Sequence, residues 1–182
     1  TAGALYEAAL KAAPDRKEAP EAAINGAFSY KQVGDYDKAI EMYRLFIDKY
    51  GDDKILTPLQ KDNPAEYAER VKNLELAYRE LSSAYILFFN YRSAAETLDK
   101  IASIERFAAD TRKSAARNAL VLYTNLGDKE KMGAAKARFL TFKPTGEDKA
   151  EADYIVAAAD LRLWDQNGAD TDSNKSARLK AQ

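Results

Sequence analysis

The feature that most constrains this chain is where its helix breakers fall. Gly34 and Gly51 stand 17 residues apart, and Gly127 and Pro144 repeat that interval. Between such breakers the sequence runs in segments of helical period, rich in Ala, Leu, Glu, Lys and Arg. No alternating apolar–polar run suggests a strand. The spacing predicts helices over about 2–13, 20–33, 37–50, 64–89, 92–104, 110–126, 129–142 and 147–166. Gly34, Gly51 and Gly127 would terminate helices, and Pro64 would begin one. The stretch DDKILTPLQKDN, residues 52–63, reads as a polar loop. The expected architecture is all-α, a succession of helix–turn–helix hairpins with short connections, which is the sequence sign of an α-solenoid. An ordinary helical bundle is the alternative.

Fixed offsets favour stacked hairpins. Tyr30, Tyr36, Ala39, Tyr43 and Phe46 recur in register as Tyr85, Tyr91, Ala94, Leu98 and Ile101. A looser copy has Tyr123, Met132, Lys136 and Phe139. Near the start, Ala2, Tyr6, Ala9 and Pro14 keep the spacing of Ala39, Tyr43, Phe46 and Gly51. Two antiparallel helices approach closely only where a side chain is small, so Ala27 and Ala39 would permit contact. The rings would then fill the space between one hairpin and the next.

Gly34, Tyr36, Ala39, Tyr43, Phe46 and Gly51, with Ala27 and Tyr30 upstream, resemble a tetratricopeptide repeat, a two-helix unit of about 34 residues. The resemblance covers most of the chain: 1–14 as the second helix of a repeat, 20–53 as a repeat, 64–108 as an extended one, 110–146 as a divergent one and 147–182 as an incomplete one. Because the chain opens on half a unit and closes on a helix just begun, it reads as a piece of a longer array. GDYDKAIEMYRLFIDKYG also resembles bacterial versions found in cell-envelope assembly and surface motility. That likeness implies a scaffold in a multiprotein complex, in the periplasm or cell envelope rather than the cytoplasm.

Composition narrows the function. With 28 basic and 29 acidic residues spread along 182 positions, there is neither a basic footprint for nucleic acid nor an acidic tail. Cys and His are both absent, which removes thiol nucleophiles, His bases and Cys/His zinc sites. No apolar run reaches the ~20 residues of a membrane span, so direct membrane insertion is not expected. Ser114 beside Lys113, and Ser176 near Lys175 and Lys180, are formally Ser–Lys pairs. Adjacent helix positions, however, point apart. The carboxylates Asp52–Asp53 and Glu147–Asp148 lie where acids cap helices. Asp170, Asp172 and Asn174 match the start of a calcium loop, but Lys175 stands where that loop needs Gly and Ala181 where it needs Glu. The expectation is therefore no cofactor and no metal, and a protein that is not an enzyme.

What the repeat resemblance implies is a concave surface lined by the first helix of each hairpin. Its candidates are Ile24, Phe28 and Lys31, then Arg79, Ser83, Ile86 and Leu87, then Arg117, Val121 and Asn125. Apolar positions beside Arg and Lys suit an extended peptide or a partner protein. Ile24 and Phe28 stand where chaperone-binding repeats carry Lys and Asn, so that carboxylate clamp is not expected here. Catalysis by carboxylates or a Ser–Lys pair, and a role as spacer or oligomerisation segment, are the rival readings.

Overall fold

The computed structural model describes residues 1–167 and Leu179, and throughout them the chain is all-α. Nine helices follow in order among these residues: α1 (Ala2–Ala12), α2 (Ala19–Gln32), α3 (Tyr36–Tyr50), α4 (Asp53–Asp62), α5 (Pro64–Leu87), α6 (Tyr91–Ser103), α7 (Ala109–Asn125), α8 (Lys129–Thr141) and α9 (Gly146–Asn167). Packing follows chain order. α1 lies on α2, α2 on α3, α3 on α5, α5 on α6, α6 on α7 and α7 on α8, while α9 touches α7 and α8.

Three hairpin turns are built alike. After α2, the amide of Asp35 donates to the Tyr30 carbonyl at 3.0 Å, and that of Gly34 to Lys31 at 3.1 Å. After α5, Asn90 bonds to Tyr85 at 2.8 Å and Phe89 to Ile86 at 3.0 Å. After α7, Asp128 bonds to Tyr123 and Gly127 to Thr124, both at 3.2 Å. This pair of bonds satisfies carbonyls that a helix end leaves without partners, and it requires a left-handed residue at the bend. Gly34 (φ 78°) and Gly127 (φ 68°) supply it, and in the middle turn Phe89 does so at φ 58°. In all three turns the next residue also caps the following helix. The side chains of Asp35, Asn90 and Asp128 each accept an amide three residues on at 3.2 Å.

Within each hairpin the expected small residues lie at the contact. Ala27, Ala39 and Ala94 are fully buried, as are Phe46, Ile101 and Phe139. Ser82 takes the place of Ala27 in the second hairpin, its hydroxyl donating to the Arg79 carbonyl at 2.9 Å. Met132, where the third hairpin lacks a small residue, is buried too. The hydroxyls of Tyr43 and Tyr123 are buried with no hydrogen-bond partner among the described residues. Burial raises both phenols above their ordinary range, Tyr123 to about 12.

Two expectations need correction. Residues 52–63 are mostly helix, not a polar loop: Asp52 caps α4 by accepting the Lys54 amide at 2.7 Å, and Leu56 is fully buried beneath it. Ile55, Leu56 and Leu59 have helical spacing, which outweighs Pro58 inside the helix. In α1, Ala2, Tyr6 and Ala9 are not core residues; Gly3 and Leu10 are buried instead. Glu7 fastens α1 to its neighbours, accepting the Tyr30 hydroxyl and the Lys11 ammonium, each at 2.6 Å, with Lys38 at 3.7 Å. These bonds, that from Lys11 foremost, lower the Glu7 carboxyl to about 2.

Candidate functional site

The first helices of the hairpins, α2, α5 and α7, and then α9, meet at three junctions, and the candidate residues lie along them. Between α2 and α5, Lys31 reaches across to Glu80 Oε2 at 2.6 Å and to Ser83 Oγ at 3.0 Å. Lys31 and Ser83 are therefore in direct contact, with Glu80 holding the same ammonium. Between α7 and α9, Lys113 pairs with Asp148 at 2.9 Å, and the Arg117 guanidinium grips both oxygens of Glu151 at 2.5 and 3.2 Å. The Lys113 ammonium is the main cause holding the Asp148 carboxyl below its usual range, and the bond to Glu151 raises Arg117 further.

The middle junction differs. Glu75 on α5 accepts the Ala108 amide at 3.0 Å and the Thr111 hydroxyl at 2.8 Å, tying the start of α7 to α5. Alongside opens a cleft of about 420 Å³ with Leu98 and Ile101 at its base. Arg79, Ser114 and Asn118 line it, and Asp110 stands at its edge. Among the described residues no carboxylate lies within 4.0 Å of the Arg79 guanidinium. Asn118 holds on α7 the register position that Glu80 holds on α5, so the acid that bridges the first junction has no counterpart here.

The remaining candidates scatter in environment. Phe28 is 49% exposed and Asn125 is exposed, whereas Ile24 is half-buried against the core and Val121 is half-buried. Ile86 and Leu87 are exposed but lie in the last turn of α5, at the hairpin bend. The face is thus not one uniform groove. Lys31 and Arg117 are held by acids of the same chain, and Arg79 is open. Glu75, Glu80 and Glu151 are what sequence reasoning missed. Their partners lie 36, 49 and 34 residues away, and no local spacing rule selects them.

The residues weighed for chemistry are occupied otherwise. Asp52 caps α4, and Asp53 pairs with Arg106. Asp148 and Thr145 bond reciprocally at the start of α9, side chain to amide in each direction. Lys113 is engaged by Asp148, which leaves exposed Ser114 without a basic partner in Lys113. Asp170, Asp172, Asn174 and the Ser176 group lie outside the described residues. Among the described residues no group of three or more Asp or Glu could hold a metal ion, and no helix is long and apolar enough to cross a membrane. No protein-family model matches this chain, and no curated protein matches it.

Proposed function

We propose that this chain is a non-enzymatic interaction scaffold whose hairpins stack as a tetratricopeptide-type solenoid and bind a peptide or partner protein along the first helices. The observation that carries the reading is the threefold recurrence of one turn. Identical capping bonds after Tyr30, Tyr85 and Tyr123 start each second helix from an equivalent point. Stacking units of one geometry leave the first helices side by side on a shared face. Phe28 and Arg79 offer an apolar and a cationic contact on that face, and the open cleft at Arg79, about 420 Å³, has room for a side chain of an extended peptide. The resemblance of the α2–α3 sequence to bacterial envelope and motility repeats supports a complex of that kind.

Affinity capture tests this with the wild type, Phe28→Ala, Arg79→Ala and the double variant, each first matched for melting temperature. The expected result is loss of the same captured proteins from both single variants. Recovery of an unchanged set by the double variant rejects the face as the binding surface.

A further inference from the structure

The three congruent turns differ at the residue that must bend left-handed. Two use glycine, which adopts that conformation freely. The third uses Phe89, for which it costs free energy through contact of Cβ with the backbone. Phe89 is also 79% exposed, so no burial within this chain offsets that cost. Its neighbours extend the anomaly. Ile86, Leu87, Phe88 and Tyr91 are exposed as well, and no other six-residue stretch among the described residues presents five large apolar side chains to solvent. Phe89 is held in place, its ring lying edge-on to that of Tyr91 with centroids 6.4 Å apart and planes at 83°. The adjoining turn adds exposed Val33.

We infer that this edge is a self-association surface, on which a second copy of the chain packs its Phe89 turn about a two-fold axis. Area is the first argument. The six side chains expose on the order of 600 Å², the upper end for a monomer's largest apolar patch. Pairing two such patches removes at most about 1,200 Å² from water, the lower bound for a specific interface.

Charge is the second argument, and it selects the occupant. Three helices begin on this edge, and their caps and first turns carry both signs, Asp37 beside Lys38 and Lys129 beside Glu130, with Lys38 held by Glu41 at 2.9 Å and Lys129 within 4.0 Å of Asp160. Arg92 of the middle turn is already paired with Asp128 of the next at 2.9 Å. An anionic lipid surface would be repelled by the cap carboxylates. A singly charged partner finds no matching field there. A rim of mixed sign complements itself when turned through a two-fold. Phe28 and Arg79 lie outside this patch, which takes in only Ile86 and Leu87 of the candidate face, and Phe89 itself belongs to no peptide-binding position.

Sedimentation velocity on the 182-residue chain, from about 5 to 500 μM, reads the equilibrium directly. The expected result is reversible dimerisation in the micromolar range, as an interface of this size permits. Phe89→Gly removes the ring and relieves the backbone together. It is expected to weaken the dimer about 30-fold while raising the melting temperature of the dilute monomer by ~2–4 °C. Phe89→Asn, also suited to a left-handed bend, gives the same loss of dimer if glycine perturbs the turn. A wild type that stays monomeric throughout overturns the inference, as does a dimer that both variants leave intact. Phe89-dependent co-sedimentation with phosphatidylserine vesicles overturns it in favour of a lipid surface.

Discussion

In the α2–α3 hairpin the second helix carries Tyr43 two turns from its start, with the ring wholly buried. In α7–α8 the same register position holds Lys136. That side chain is half-buried, and its ammonium meets Asp153 of α9 at 2.7 Å. One turn further on, Phe46 and Phe139 are alike and fully buried. The small residue that precedes them is Ala39 in one hairpin and a buried Met132 in the other. Position within a hairpin therefore decides what may change. Two turns into the second helix a buried ring in one hairpin is replaced by a lysine in the other, and there α9 supplies the carboxylate. One turn beyond, both hairpins keep a fully buried aromatic ring. Methionine fits the third hairpin because its unbranched chain adapts to an irregular gap.

Substitutions at these positions test how alike the two hairpins are. The largest effect is expected at the shared ring. Phe46→Ala and Phe139→Ala should each lower stability by ~3–5 kcal/mol in urea unfolding. A full loss at Phe46 with a negligible one at Phe139 would show that the two hairpins are not equivalent. Next comes the small-residue position. Ala39→Trp should force α2 and α3 apart at ~1–3 kcal/mol, whereas Met132→Leu should cost less than ~1.5 kcal/mol. An unchanged melting temperature for Ala39→Trp would count against close packing there.

The smallest effects are electrostatic and depend on pH. The Lys136 bond lowers the Asp153 carboxyl, and Lys11 with Tyr30 brings that of Glu7 to about 2. Because the folded state depresses both, their contribution is complete above the ordinary carboxylate range and disappears as pH falls through the depressed values. Melting temperature should thus decline between about pH 4.5 and pH 2. Glu7→Gln, and Lys136→Met at the other hairpin, should each flatten that decline, lowering the melting temperature modestly at pH 7, where the wild-type bonds are complete, and converging with the wild type near pH 2. A Glu7→Gln profile that overlays the wild type would remove Glu7 as the clasp of α1.

Much of this fold was legible because helix periodicity and punctuation are local. Gly34, Gly51 and Gly127 end helices where expected, although Gly51 is not left-handed: a Cβ there would collide with Leu74 and the Ile47 carbonyl. α4 was not legible because Pro58 and five charged residues, Asp52, Asp53, Lys54, Lys61 and Asp62, masked the apolar trio around Leu56. The left-handed bend at Phe89 was hidden by its side chain, though Tyr85 and Asn90 mark the same turn as Tyr30 and Asp35. The candidate face was legible only as a list of outward positions. Which cations were already satisfied depended on carboxylates brought close by packing between hairpins, and one sequence does not display that.

Chain-order packing has a mechanical consequence. A load applied across the molecule passes mainly between helices that follow one another in the chain, from α1 to α2 to α3 and onward, with side links from α2 to α5 and from α7 to α9. With most contacts so local in sequence, such a molecule can open in parts. A body knitted by links between distant segments would instead rupture all at once.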